Sequence, residues 1–314
     1  MPSPRTSAAF VVVDWGTSSF RGWLISPDGT TLAESRGDEG MLHCAGIAGG
    51  TGFATVLRNH LGRLGAPTAI PVLICGMAGA RQGWVEAPYL QVPTRLDALH
   101  EGAVRVDAAG DIRILPGIAQ AQAERPDVMR GEETQLLGVT VPDFSGLACI
   151  PGTHSKWVRI EAGRIVAFST YMTGELFSVI ARHSILAHAV ETAASPPPDS
   201  QPFRDGLAAA LAEPTALTAS LFRLRAAQLL GFEQRAEGAA RLSGLLIGSE
   251  LADAQRRHGH PRSVRLIAAG ALGKLYAAAL AGQGLDVTMV DAEQASRLGL
   301  AKAAIRIWTA KEST

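Results

Sequence analysis

Ala8–Ile25, AAFVVVDWGTSSFRGWLI, is the stretch from which the rest of the chain can be read. Ala9 to Val13 is a continuous apolar, β-branched run, the pattern of a strand buried on both faces. Asp14 closes the run. Gly16, Thr17, Ser18 and Ser19 then make a tight turn of small residues with hydroxyls and backbone amides. Such a turn can approach an anion closely, because glycine has no Cβ and free amides donate. Phe20 to Ile25 runs back as a second strand, with Arg21 at its start. One reading is an ordinary hairpin with an aspartate at its turn. The other is a carboxylate beside a phosphate-sized turn, the beginning of a magnesium-nucleotide site.

Working outward, the spacing predicts a third strand over Thr31–Ser35, a helix over Gly52–Leu64 and a buried strand over Pro71–Cys75. That strand ends in a loop, 76–84, with three glycines. Ile112–Leu115 reads as a short strand, and Pro116-Gly117 as the crossover to a second half. Met129–Gly138 begins with charges and turns apolar, like a helix N-terminus. Gly146–Arg159 reads as strand, polar loop and strand, with Ile165–Thr170 pairing after a turn. Helices are predicted over Gly174–Ile185, Leu217–Leu230, Ala236–Arg257, Lys274–Leu280 and Ala292–Trp308, strands over Val264–Ala268 and Val287–Val290, and a proline-rich loop over Ser195–Pro202. Strands alternating with helices imply an α/β protein. Each half opens with strands bracketing a small polar loop, Gly16-Thr17 in one and Gly152-Thr153 in the other. A chain of 314 residues exceeds the size at which one core usually keeps growing, so two domains are expected, 1–117 and 118–314, with the last helix a candidate to pack back on the first.

Composition excludes several classes. Lys+Arg and Asp+Glu are both 29, so there is no bulk attraction to nucleic acid or to an anionic membrane. Cys44, Cys75 and Cys149 lie far apart with no C-x-x-C spacing, as expected of reduced, buried thiols in a cytoplasmic protein. Met1–Ser7 has no apolar segment of the kind a signal peptide needs. No apolar run approaches the roughly 18 residues of a membrane span. The familiar motifs are missing: Gly273-Lys274 is followed by Leu275, so there is no P-loop, and no G-x-G-x-x-G opens a helix after a strand. No H-E-x-x-H or G-x-S-x-G occurs. His258 and His260 read as a solvated helix end.

What remains suits phosphoryl transfer. That chemistry needs anion cradles, a carboxylate near a magnesium ion and a carboxylate that accepts the attacking hydroxyl's proton. Asp14 is the metal candidate, through water, because Mg²⁺ keeps part of its shell. Gly16, Thr17 and Ser18 form one cradle. Gly152, Thr153, His154, Ser155 and Lys156 form another, with hydroxyls and a cation. Glu132 and Glu133, at a helix start, are the candidates for the base, with Glu132 favoured by its spacing to Gly138.

Asp14-Trp15-Gly16-Thr17-Ser18 resembles the first phosphate motif of the sugar kinase, heat-shock ATPase and actin superfamily. Pro151-Gly152-Thr153-His154 sits where the second belongs, and Ile267–Gly273 (IAAGALG) resembles the adenosine motif. Gly244–Ala252 fits the helix that connects domains. DWGTSSFRGWLI, GMAGARQGWVEAPYL, DVMRGEETQLLG, IPGTHSKWV and TYMTGELFSVI together resemble the 2-dehydro-3-deoxygalactonokinase family. The resemblance implies two ribonuclease-H-like domains flanking a catalytic cleft, and ATP-dependent phosphorylation of a 2-keto-3-deoxy sugar acid on its C6 hydroxyl in galactonate breakdown. It implies ATP and Mg²⁺ as cofactors and Asp14 as the metal-associated aspartate. Related kinases usually carry Asp where this chain has Glu132-Glu133, which leaves both glutamates in play.

The anionic substrate calls for cations and neutral donors. Arg21, Arg81 and Arg130 are the guanidinium candidates, since the fork of arginine binds two carboxylate oxygens. Gln82, Trp84 and Tyr89 offer donors and an apolar wall, and His154 and Lys156 reach toward substrate or phosphate. Gly270 and Gly273 would let the backbone lie against adenine or ribose. A kinase of the superfamily for another small sugar, or a sensor on the same fold, are the alternatives. Transcriptional relatives carry a DNA-binding module ahead of a first strand that here begins at about residue 9. No nucleic-acid or membrane partner is expected. Oligomeric state stays open, a homo-oligomer included.

Overall fold

The computed structural model describes residues 8–47, 50–192 and 195–309. They form two compact units, one of residues 8–144, 161–167 and 292–309, the other of residues 145–160 and 168–291. A single cut after residue 117 does not reproduce this division.

In unit 1 the chain forms β1 (Phe10–Trp15), β2 (Phe20–Ile25), β3 (Thr31–Gly37), α1 (Met41–Ala45), α2 (Gly52–Leu64), β4 (Val72–Gly76), β5 (Tyr89–Gln91), β6 (Thr94–Arg95), β7 (Val104–Arg105), β8 (Ile112–Ile114), β9 (Gly117–Gln120), β10 (Asp127–Met129) and α3 (Glu132–Val139). The main sheet runs β3-β2-β1-β4-β8-β7. β1, β2 and β3 form an antiparallel meander, and β4 and β8 continue parallel to β1. The register sets Asp14 opposite Arg21 on one side and Cys75 on the other. Gly117 does not begin a crossover. It starts β9, which pairs with β5 and β10 in a small separate sheet.

The β1 run behaves as its pattern requires: Phe10, Val11, Val12 and Val13 are fully buried. Trp15 packs edge-on to Phe20 at 4.9 Å between ring centroids, and Trp84 stacks on Phe53 at 5.9 Å. The Trp15 indole N–H donates to the Glu39 carbonyl at 3.0 Å, as a buried indole must find an acceptor.

In unit 2 the chain forms β11 (Gly146–Ile150), β12 (Ser155–Glu161), β13 (Arg164–Tyr171), α4 (Thr173–His183), α5 (Gln201–Ala212), α6 (Leu217–Leu229), α7 (Arg235–His258), β14 (Ser263–Ile267), α8 (Gly270–Gly282) and β15 (Asp286–Val290), the end of β12 and the first half of β13 being counted with unit 1. Its strands run β15-β14-β11-β12-β13. β11 is antiparallel to β12 and parallel to β14, which is parallel to β15. This is the plan of β1, β2, β3, β4 and β8 again, so both units carry the same mixed five-strand order. The correspondence of the Gly16 and Gly152 loops is thus one of topology.

The loop predicted over Ser195–Pro202 is shorter than expected, and residues 193 and 194 lie outside the described residues. α5 starts at Gln201, with Pro202 in its first turn, where the missing N–H has no helical partner to lose. α5 then packs on α7 through Gly206, Gly244 and Gly248. A Cβ on Gly244 would collide with the Phe203 carbonyl.

α9 (Ala292–Trp308) returns to unit 1 and crosses α3. The crossing is backbone to backbone: a Cβ on Gly299 would collide with the Thr134 carbonyl, and one on Gly138 with the Ala295 carbonyl. Lys302 fastens it by donating to the carbonyls of Leu137 and Gly138, each at 3.0 Å, and of Thr140 at 3.3 Å. These are the α3 C-terminal oxygens that helix geometry leaves unpaired.

Candidate active site

Four elements of unit 1 meet at Asp14. β1 delivers the carboxylate and β2 delivers Arg21, whose Nη1 lies 3.7 Å from Asp14 Oδ2. β4 places the Cys75 thiol 4.0 Å from Asp14 Oδ1. α9 supplies Ser296, which hydrogen-bonds the Asp14 carboxylate. Burial pushes the Asp14 carboxyl above its ordinary range, Arg21 and Ser296 pull it back, and Glu132 and Glu293 push it up again. Burial and the neighbouring carboxylates hold the Cys75 thiol well above its usual pKa, so it stands there as a neutral group.

The two glutamates at the start of α3 separate into different environments. Glu133 is buried, and both its oxygens accept from the Gly131 amide, at 2.9 and 2.8 Å, while Oε1 also accepts from the Thr134 hydroxyl at 2.9 Å. Burial, then the charge of Glu132, pushes Glu133 up to about 7. Glu132 is only half-buried, and its Oε2 accepts from the Arg130 amide at 3.0 Å. Gly131, just ahead of both, has φ +107, a conformation that glycine adopts without the Cβ penalty. α3 is thus pinned at its start by its own glutamates, and Glu132 is the one left at the surface.

The Gly16 turn is more committed than expected. The Gly16 amide donates to Ser19 at 2.9 Å, so it is not a free donor, and the amides of Met41 and Leu42 bind the carbonyls of Gly16 and Thr17 at 3.0 and 3.1 Å. Thr17 and Ser18 stay exposed. Gly40 lies so close beneath that a Cβ there would meet the Ser18 backbone at 2.5 Å.

Of the predicted sugar-acid contacts, Arg21 lies at Asp14. Arg130 lies with its guanidinium 4.3 Å from the centre of the Tyr89 ring, donates through Nη2 to the Ala87 carbonyl at 2.8 Å, and has Nε and Nη1 buried without a hydrogen-bond partner among the described residues. Trp84 belongs to the aromatic core against Phe53 and Trp15. Arg81 and Gln82 are exposed, and Arg81 faces Glu86 at 3.5 Å. No contact joins Arg81 or Gln82 to Asp14 or Glu132 among the described residues.

Unit 2 holds a cavity of about 390 Å³. Gly152 and Thr153 of the loop between β11 and β12 line it, with Thr173 and Gly174 at the start of α4, Ser243 and Ile247 of α7, and Ala271 and Leu272 of α8. The Glu175 amide donates to the Thr153 carbonyl at 3.0 Å, and a Cβ on Gly174 would collide with the Gly152 carbonyl. An 11-residue helix thus begins against the second loop, with the positive end of its dipole there. His154 is exposed and pairs with Glu175 at 2.5 Å. Lys156 is buried and donates to the His154 carbonyl at 3.3 Å. Gly270, with φ +61, opens α8. Gly273 does not line the cavity. It packs α8 to the sheet, where a Cβ would meet Ala268 Cβ at 3.0 Å and Met289 Cε at 3.3 Å.

Sequence reasoning gave no role to Ser296, Glu293, Thr173, Ser243 or Glu250, although Thr173 lies in the quoted TYMTGELFSVI stretch and Glu250 is the single acid in the small and apolar stretch 242–252. His258 also departs from expectation: it is half-buried against the Ser169 hydroxyl at 3.1 Å, and burial lowers it to about 4. The three cysteines are free and buried. No helix among the described residues is long and apolar enough to cross a membrane.

A family model described as 2-keto-3-deoxy-galactonokinase matches residues 14–303. A protein of Rhizobium meliloti (strain 1021), named "Probable 2-dehydro-3-deoxygalactonokinase", is 50% identical over 306 residues, 96% of this chain and 99% of its own length. The 2-dehydro-3-deoxygalactonokinase of Escherichia coli (strain K12) is 34% identical over 297 residues, 94% and 97% of the two chains. A crystal structure from Sinorhizobium meliloti, described as a 2-dehydro-3-deoxygalactonokinase protein, superposes with a TM-score of 0.91 at 50% identity, covering 95% of this chain and 99% of that one. The activator of the 2-hydroxyisocaproyl-CoA dehydratase from Clostridium difficile, solved with bound ADPNP, matches with a TM-score of 0.52 at 14% identity over 97% and 98% of the two chains. At that identity it shares the fold alone.

Proposed function

The chain belongs to the 2-keto-3-deoxy-galactonokinase family, and from that premise we propose that it transfers the γ-phosphoryl group of ATP to the C6 hydroxyl of 2-dehydro-3-deoxy-D-galactonate, in galactonate catabolism in the cytoplasm. The observation that carries this reading is the match to the Rhizobium meliloti protein, 50% identical over 306 residues with no large part of either chain left out.

The roles follow from environment. Glu132 is the base that takes the C6 hydroxyl proton, because it stands at the surface near Asp14 while Glu133 is enclosed. Glu133 positions it, holding Gly131 and the first turn of α3. In unit 1, Thr17 and Ser18 offer exposed hydroxyls to phosphate; in unit 2, the cavity lined by Gly152 and Thr153 takes the nucleotide. Arg21 and Arg130 are the cations for the sugar acid. Arg130 has two guanidinium nitrogens without a protein acceptor among the described residues, and Arg21 faces Asp14 at 3.7 Å.

The donor chemistry at Asp14 fits magnesium. Asp14 is a hard oxygen donor that feels the charge of Glu132 and of Glu293, the latter paired with Arg36, with Arg21 as the opposing charge. No group of three His, Cys, Asp or Glu side chains is arranged to ligate a metal among the described residues. The fit is to an ion held mainly by phosphate and water, with Asp14 orienting that shell. Bound there, the ion supplies neutralisation of phosphate charge.

The test is ADP release, measured by a coupled assay over 2-keto-3-deoxy sugar acids of both C4 configurations, hexoses and glycerol. Turnover confined to the 2-keto-3-deoxy acids, strongest with the galacto form, is expected. ATP binding with no turnover of any sugar would replace the kinase reading with a sensor.

A further inference from the structure

Beneath the unit 2 cavity lies a carboxylate that the proposed chemistry does not use. Glu250, on α7, is 3% exposed. Its Oε1 accepts from the Ser155 hydroxyl and from the Trp157 indole, each at 2.7 Å. Its Oε2 accepts from the Tyr276 hydroxyl at 2.6 Å and from the Thr173 hydroxyl. All four of these donors are neutral. A buried carboxylate is costly unless its lone pairs are filled, and four converging donors fill them.

The donors come from each element that shapes the cavity. Ser155 and Trp157 open β12, directly after the Gly152-Thr153 loop. Thr173 is the first residue of α4 and lines the cavity itself, and Tyr276 lies on α8 one residue past the lining Leu275. α7 contributes Ser243, Leu246 and Ile247 to the same wall.

We propose that Glu250 is a positioning residue for the nucleotide site: one carboxylate on α7 that fixes the phosphate-loop strand, the start of α4 and α8 relative to one another, so that the cavity is preformed for ATP. The proposal rests on the reading of this cavity as the nucleotide's. Binding energy spent on ordering these elements is lost from affinity, so a preformed wall binds more tightly than one assembled on contact. Arg21 and Arg130, the cations proposed for the sugar acid, belong to unit 1.

The experiment compares Glu250→Ala, Glu250→Gln and Tyr276→Phe by calorimetric titration of the protein with ATP in the presence of Mg²⁺, alongside the separate KM values for ATP and for the sugar acid. Glu250→Ala is expected to raise the ATP Kd and KM by about tenfold or more, with the sugar-acid KM within about twofold. Glu250→Gln restores most of the affinity, since its oxygen accepts from Ser155 and Trp157 while its amide donates to the Thr173 and Tyr276 hydroxyls. Tyr276→Phe removes one of the four ties and keeps the ring, and raises the ATP Kd several-fold. If Glu250→Ala does not fold, Tyr276→Phe decides. Folded variants that bind ATP as the wild type does overturn the proposal, as does an equal rise in both KM values. A wild-type protein that does not bind ATP would instead overturn the reading of the cavity.

Discussion

Asp14, Glu132 and Glu133 are three carboxylates within one small region of unit 1, and their surroundings assign them different work. Asp14→Asn should leave the fold intact, since Asn keeps the shape and an acceptor for Ser296, yet reduce kcat to near background in the coupled ADP assay. Glu132→Gln should lower kcat by about 10²–10⁴, the usual cost of losing a general base, with the ATP KM little changed. Glu133 is distinguished by stability. Its carboxyl is raised to about 7 from an ordinary 4.5, so the folded protein prefers the protonated form. That preference favours folding fully below pH 4.5 and is lost as pH rises through about 7. Across that window the loss is about 3 kcal/mol, from about 1.4 kcal/mol per pKa unit. Glu133→Gln, permanently neutral, should flatten the dependence: urea midpoints at about pH 5 and about pH 8 should differ markedly for the wild type and little for the variant. Equal midpoint differences in both would show that Glu133 does not titrate in that window. The paired glutamates were visible in the sequence as a helix start with two carboxylates. What was not visible is which of them points inward, because that depends on Gly131 taking φ +107 and folding the Glu133 carboxylate back on its amide.

Among the elements, the α3–α9 crossing carries the most consequence. Residues 292–308 read as a helix and as a candidate to pack back on the first domain, as α9 does, but nothing local says which side chains it brings there. Glycines at 138 and 299 let the backbones touch, and the contact brings Ser296 to Asp14 and Gln135 Nε2 to Ser296 Oγ at 3.3 Å. Gly299→Ala should therefore destabilise by about 1–3 kcal/mol, as overpacking does, and read out as a lowered urea midpoint. It should also lower kcat, because the displaced α9 no longer holds Ser296 against Asp14. Unchanged kcat in a destabilised variant would separate α9 from the site. α5 teaches the complementary lesson. Its start looks like a loop because prolines crowd residues 196–202, and only its packing on α7 through Gly206 makes a helix there worth forming. Likewise β5, β9 and β10 are three or four residues each, too short to carry a period, and exist because they pair with one another.

For the molecule as a whole, each unit repeats the same five-strand order, and each presents a polar loop between its first two strands. Hydrogen exchange should register this division of labour. ATP with Mg²⁺ should slow exchange in 152–156, 173–178 and 271–275, while the sugar acid should slow it in 130–134. Protection by ATP confined to segments outside the unit 2 cavity would place the nucleotide elsewhere. The sequence by itself determined the strands of β1, β2, β4, β11 and β14, the two hairpin loops and the helix-start glutamates, because buried strands and tight turns are written in adjacent residues: β-branched runs, glycines and small polar side chains. The family was legible for the same reason, since its motifs are such short local segments in a fixed order. Only the tertiary structure decided that α9 completes unit 1, that Ser296 reaches Asp14, that Glu133 is enclosed and Glu132 is not, and that Glu250 gathers four donors. Those facts depend on residues up to hundreds of positions apart meeting in space. A side chain's burial and partners, which set its charge and its role, come from whichever elements pack over it and not from its neighbours in the chain.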